Sequence, residues 1–197
     1  VEYHDPAPFR YAMNAFLQAL RSVTFRLQKS LAHENGFTEW YSERQESMRQ
    51  DKLLRSFVEG RNSVVKQRNL LMSSSTMIGF FCWRKLKLAI ETNIPSHIPT
   101  KHLVKVVAPN LEYDEEHSAI REQYGVQREW RAEELGEGDV LSLCDLAWVT
   151  IGRVLSEAHE FMGFHSQVPP EHGHDPDMCN VLLEMDVDPS LPEKWGW

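Results

Sequence analysis

Four residues on one predicted helix carry the most suggestive chemistry in this chain: Arg61, Asn62, Lys66 and Arg68. Arg61 and Arg68 fall on the stripe Leu54, Phe57, Val58, Arg61, Val65, Arg68, which the helical period assigns to the core face. A guanidinium on an apolar stripe has two readings. In one it snorkels, or enters a buried ion pair with a carboxylate of the first two helices. In the other it is a cation held in a groove for an anion. Gly60 beside it lowers helix propensity by about 1 kcal/mol relative to Ala, which a helix of neutral role has little reason to accept.

A second set lies near the C-terminus: His165, His172, His174, Asp175, Asp177 and Cys179. Imidazole and carboxylate suit zinc or similar ions. Here, however, Pro169-Pro170 and the glycine-flanked histidines give no rigid framework, and a solvated loop without metal or cofactor is expected. Trp40-Tyr41 and Trp83 are expected in core and bundle seams, and Trp195 and Trp197 as a docking anchor, because exposed indoles on a tail would sit in water. The chain lacks Gly-rich phosphate loops, the Gly-x-Ser-x-Gly elbow, Cys-x-x-Cys and His-Glu-x-x-His.

The elements that must position these residues follow from pattern. Asp5 caps a long helix, with Pro6 and Pro8 in its first turn and Phe9, Met13, Phe16, Leu17, Leu20, Val23, Leu27 and Leu31 as its stripe. Asn35-Gly36 ends it. A shorter helix follows over Phe37 to Met48 with Thr38 as N-cap, and Asp51 caps the helix of Arg61. Ser73-Ser74-Ser75 breaks the helical part. Strands are expected over Thr76–Trp83, Leu86–Glu91, Leu103–Ala108 and Val126–Trp130, with a mobile piece near 110–122 and a solvated face on Gln127 to Arg131. Asp139 caps a last helix whose stripe runs from Leu141 to Met162 and closes the bundle against the first and third. The fold class is α+β: a mainly α-helical up-and-down bundle over residues 1–163, a small antiparallel sheet inserted at about 76–134, and an extended acidic tail over 164–197.

Composition sets the outer bounds. With 197 residues, 42% hydrophobic and 25% charged, the chain suits a globular domain and excludes collagen, disorder and disulfide scaffolds. Its longest apolar runs are too short to span a bilayer, the first five residues lack a signal peptide's basic start and apolar run, and three cysteines cannot all pair within one chain. A cytoplasmic protein without membrane partners is expected. Residues 1–73 carry 11 Lys/Arg against 8 Asp/Glu, while residues 135–197 carry 2 against 12. Nucleic acid is repelled by the net charge of −8, yet the first third can still present a positive face.

Tyr11 through Val23 resembles the first helix of HEPN domains; Trp40-Tyr41, Asp51 and Phe57 through Asn62 resemble their second and third helices, and Val140–Met162 the fourth. The resemblance implies a dimeric helical bundle from toxin–antitoxin, phage-defence or RNA-processing systems. In its active members Arg steadies the scissile phosphate, and a His four to six residues later moves protons. Here Arg61 and Asn62 match, but Lys66, Gln67 and Arg68 stand where the His belongs. The resemblance thus implies a non-cleaving homodimer that binds RNA or a partner protein through Arg61, Lys66 and Arg68. The alternative is a metal-independent ribonuclease using Arg61 and Asn62, with Lys66, His33 or His159 in place of the missing His.

Overall fold

The stripe of the first helix forms as its period dictates. Helix α1 spans Pro6–Leu31, with the Ala7 N–H on Asp5 Oδ1 at 3.3 Å and Met13, Leu17 and Leu20 buried along one face. Gly36, at φ 79°, turns the chain into α2 (Phe37–Gln50); it holds the N-cap position expected for Thr38 and offers no side-chain cap. Asp51 alone separates α2 from α3 (Lys52–Val65), and its Oδ1 accepts from the Leu54 N–H at 3.0 Å, a cap worth about 1 kcal/mol. The remaining elements are β1 (Met72–Cys82), β2 (Lys85–Asn93), α4 (Thr100–Val107), β3 (Glu122–Ala132), α5 (Val140–Phe161), β4 (Val181–Leu183) and α6 (Glu184–Val187). This computed structural model describes residues 2–66, 70–82, 85–93, 95–107, 122–166 and 179–187. The expected mobile piece near 110–122 lies almost wholly outside them.

The chain divides into two compact units, one of Val1–Arg10, Ser73–Trp130 and His174–Trp197, the other of Tyr11–Met72 and Arg131–Gly173. The first is built on a sheet of order β2-β1-β3-β4. β1 and β2 pair antiparallel from Ser75↔Asn93 to Cys82↔Lys85, with an irregularity between Phe80 and Phe81, and β3 pairs antiparallel with β4 at Val126↔Leu182. Phe81, Val181 and Leu183 are buried together, and Phe9 stacks on Trp130 at 5.0 Å. Residues 181–183, expected in an extended tail, are therefore a sheet strand.

Three local expectations change. Residues 103–107 belong to a helix, not a strand. Pro99 precedes Thr100 at the helix start, and the buried Thr100 and Val104 stand four apart on one face. The serine run lies inside β1, since α3 has already ended at Val65. On β3 the residues alternate as a half-buried strand should, but Arg128 is on the inward face with Val126 and Trp130.

The second unit is helical. Phe37 meets Phe161 and Arg44 Nε reaches Glu157 Oε2 at 3.0 Å, so α2 runs against α5. Met13 Sδ lies 3.8 Å from Cys144 Sγ, and the Phe16–Val23 and Trp148–Leu155 stretches lie side by side. α1 and α5 therefore run in the same direction, unlike first and fourth helices that alternate up and down. Trp40, Tyr41, Phe37 and Phe161 fill a seam of this unit, with the Arg44 guanidinium 4.9 Å over the Trp40 ring.

Candidate functional site

Arg61 lies in a groove of the helical unit walled by α1, α2 and α3, with Ile151 of α5 also in its lining and a volume of about 340 Å³. Its floor is aliphatic and aromatic, with Leu17, Leu20, Leu54 and Phe57 buried beneath it. The guanidinium is half-buried: Nε lies 3.4 Å from Gln18 Oε1, and one terminal nitrogen 3.3 Å from Asn62 Oδ1. Among the described residues no carboxylate pairs with it. Three further arginines line the groove, Arg21, Arg49 and Arg55. Arg21 donates to Thr24 Oγ1 at 2.9 Å, and Arg49 stands 3.6 Å from Glu46. Glu59 adds one carboxylate to the lining. Four cations around an apolar floor suit an anion that also carries apolar surface.

Proton-transfer chemistry is poorly supplied at this place. Tyr41 donates its hydroxyl to the Thr24 carbonyl at 3.1 Å, and burial holds that hydroxyl above its ordinary pKa. Asn62 is exposed and orients Arg61. Lys66 is the exposed C-cap of α3 and is not part of the groove lining. Arg68 and Gln67 lie outside the described residues. His33 is at the surface beside Glu34 at 3.1 Å, and His159 lines a different groove, between α1 and α5. Neither replacement histidine stands with Arg61. Gly60 has a packing reason: a Cβ there would meet Leu135 Cδ2 at 2.9 Å and Leu70 Cδ2 at 3.4 Å.

In the sheet unit the polar centre is Arg128, fully buried. One terminal nitrogen donates to the Ile98 carbonyl at 2.6 Å and to Thr100 Oγ1 at 3.2 Å. The other donates to Ser74 Oγ at 3.0 Å and the Ser96 carbonyl at 3.1 Å. Its guanidinium carbon lies 4.0 Å over the Trp130 ring, and burial pulls its pKa down to about 10. The fork thus ties the turn before α4 to β1 and β3, a structural task. Of the histidine-rich segment, His165 is exposed and Cys179 half-buried, while His172, His174, Asp175 and Asp177 lie outside the described residues, as do Trp83, Trp195 and Trp197. Among the described residues no three His, Cys, Asp or Glu side chains gather as a metal site, and no helix is long and apolar enough to cross a membrane.

Residues 1–180 match the family described as Bacteriophage lambda protein ea47. The chain belongs to the phage lambda Ea47 family. Protein ea47 of Escherichia phage lambda is 31% identical over 144 residues, which are 71% of this chain and 34% of that protein. This member thus spans about a third of the length of the curated relative it matches. No solved structure matches the chain. The Ea47 match over residues 1–180 overturns the resemblance to HEPN domains, since no HEPN family is found. The residues quoted for it have local explanations: Trp40-Tyr41 is a packed seam, Gly60 admits Leu135, and the rest are amphipathic stripes common to many helices. The toxin–antitoxin and phage-defence settings came with that resemblance alone.

Proposed function

We propose that the helical unit is a non-catalytic binding module whose arginine-lined groove takes an acidic, amphipathic segment of a partner protein. The observation that carries this reading is Arg61: half-buried over an apolar floor, joined by Arg21, Arg49 and Arg55, with no carboxylate partner among the described residues. A helix with leucines on one flank and glutamates on the other satisfies both halves of such a groove. Single-stranded RNA is the second reading, favoured by the guanidinium forks, which match phosphate as well as carboxylate. It lacks stacking support, because the aromatic rings in the groove, Tyr41 and Phe57, are buried and offer no free face to a base.

The test is fluorescence anisotropy with a labelled Leu/Glu amphipathic peptide and, separately, a labelled oligouridylate. Peptide binding that weakens about tenfold in Arg61→Ala, equivalent to about 1.4 kcal/mol, is expected, with the melting temperature nearly unchanged because no ion pair is broken. Oligouridylate binding without peptide binding moves the function to RNA. A large drop in melting temperature in Arg61→Ala would mean a structural role for the side chain.

A further inference from the structure

The opposite flank of α1 carries a second groove, about 290 Å³, between α1 and α5. On α5 its lining recurs at Trp148, Ile151, Gly152, Leu155, Ser156 and His159, along one face of the helix. From Trp148 to His159 the helix rises about 16 Å. Phe16, Ala19 and Val23 of α1 line the other side, and Ser166, beyond the end of α5, completes the lining. Composition changes along that length. The Trp148 end and the middle are apolar, and the Trp148 indole is 55% exposed. Ser156, His159 and Ser166 supply the polar groups, all toward the C-terminal end of α5, and no Asp, Glu, Lys or Arg appears among the described lining.

Hydrogen accounting at the polar end leaves a surplus. Ser156 Oγ and Ser166 Oγ lie 2.6 Å apart, with Ser156 buried. Two hydroxyls carry two hydrogens, and the bond between them uses one. Among the described residues neither side chain has a further partner, so one O–H is left to donate. His159 stands three residues beyond Ser156 on the same face, and its ring makes no hydrogen bond among the described residues. A neutral imidazole offers one donor and one acceptor.

We infer that this groove binds an uncharged amphiphile of the acyl amide class. The alkyl chain lies between α1 and α5, where Ala19 and Gly152 leave room, and its end covers Trp148. The head carbonyl accepts the spare hydroxyl hydrogen of the Ser156–Ser166 pair, and the amide N–H donates to His159. Head groups of either charge fit less well. An ammonium brings hydrogens only and cannot take the spare O–H. A carboxylate meets no lysine or arginine among the described lining, and it would lie by the carbonyl end of α5, where the helix dipole opposes an anion.

Isothermal titration calorimetry of the full chain with octanamide, octanoate and octylammonium tests this. Octanamide is expected to bind one per chain and several-fold more tightly than the other two. Ala19→Leu, at an exposed position of α1, should fill the groove and abolish binding with the melting temperature retained. Ser156→Ala should weaken octanamide several-fold and leave octylammonium unchanged. Arg61→Ala should affect none of the three, which separates this site from the arginine-lined groove. Absence of octanamide binding at millimolar concentration overturns the inference. So does equal or tighter binding of octanoate or octylammonium, or octanamide binding that survives Ala19→Leu. Should Ser156→Ala lower the melting temperature, Ser166→Ala makes the same hydroxyl test, and octanamide affinity unmoved by it counts against the assigned head group.

Discussion

Arg61 holds a positive charge against an apolar floor with only amide oxygens, Gln18 Oε1 and Asn62 Oδ1, near its nitrogens. Phosphodiester cleavage without a metal needs a group that takes a proton and one that returns it, and among the described residues the groove lining includes no histidine. Purified protein should therefore leave 5′-labelled single-stranded RNA intact in EDTA; cleavage that vanishes in Arg61→Ala would refute this. Cys144 gives a pH dependence of known sign. Burial pushes its thiol from 9.0 up to about 12, so between those values the unfolded chain has lost a proton that the folded chain keeps. Stability from this residue is fully present below pH 9 and falls as pH rises beyond it, by at most about 1.4 kcal/mol per pH unit. Guanidinium unfolding midpoints from pH 8 to 10.5 should decline less steeply in Cys144→Ala than in the native chain. The anomaly at Arg61 was legible because a cation interrupts a periodic stripe. Its companions were not: Arg21, Arg49 and Arg55 sit on three separate helices, and one-dimensional spacing gives no sign that those helices share a wall. The only trace was the basic balance of the first third. Arg128 was hidden differently, since alternation puts it inward but residue type argues for water.

At the scale of elements, capping decided most boundaries, because Asp5, Asp51 and Asp139 each place a carboxylate where free N–H groups begin. Where no cap spoke, periodicity had to decide alone, and over Leu103–Val107 five mostly branched residues fit a strand as well as a helix. The proline at 99 and the buried pair Thr100 and Val104 resolve it. Gly60 shows packing overriding propensity. Alanine favours a helix by about 1 kcal/mol over glycine, yet its methyl would meet Leu135, itself 1% exposed, at 2.9 Å. Overpacking of this kind costs about 1–3 kcal/mol, so Gly60→Ala should lower the denaturation midpoint instead of raising it. A raised midpoint would mean that Leu135 has room to turn aside.

For the whole molecule, the unit boundaries fall inside α1, β1 and β3, so neither unit is a continuous stretch of chain and neither can be excised by a single cut. The two grooves of the helical unit are joined in a more consequential way, because Leu20 and Ile151 line both. A close-packed side chain fills one of two adjoining spaces at a time. A ligand that displaces Leu20 from the arginine-lined side must therefore alter the apolar side as well. Occupancy of one groove is in this way linked to the state of the other, and linkage is reciprocal: the factor by which peptide changes the affinity of an apolar ligand for the α1–α5 groove equals the factor by which that ligand changes peptide affinity. Peptide titrations with and without an apolar dye such as ANS measure that factor, and Leu20→Ala, which removes the shared wall, should bring it close to one. The side chain that closes one surface is the one through which the other is sensed.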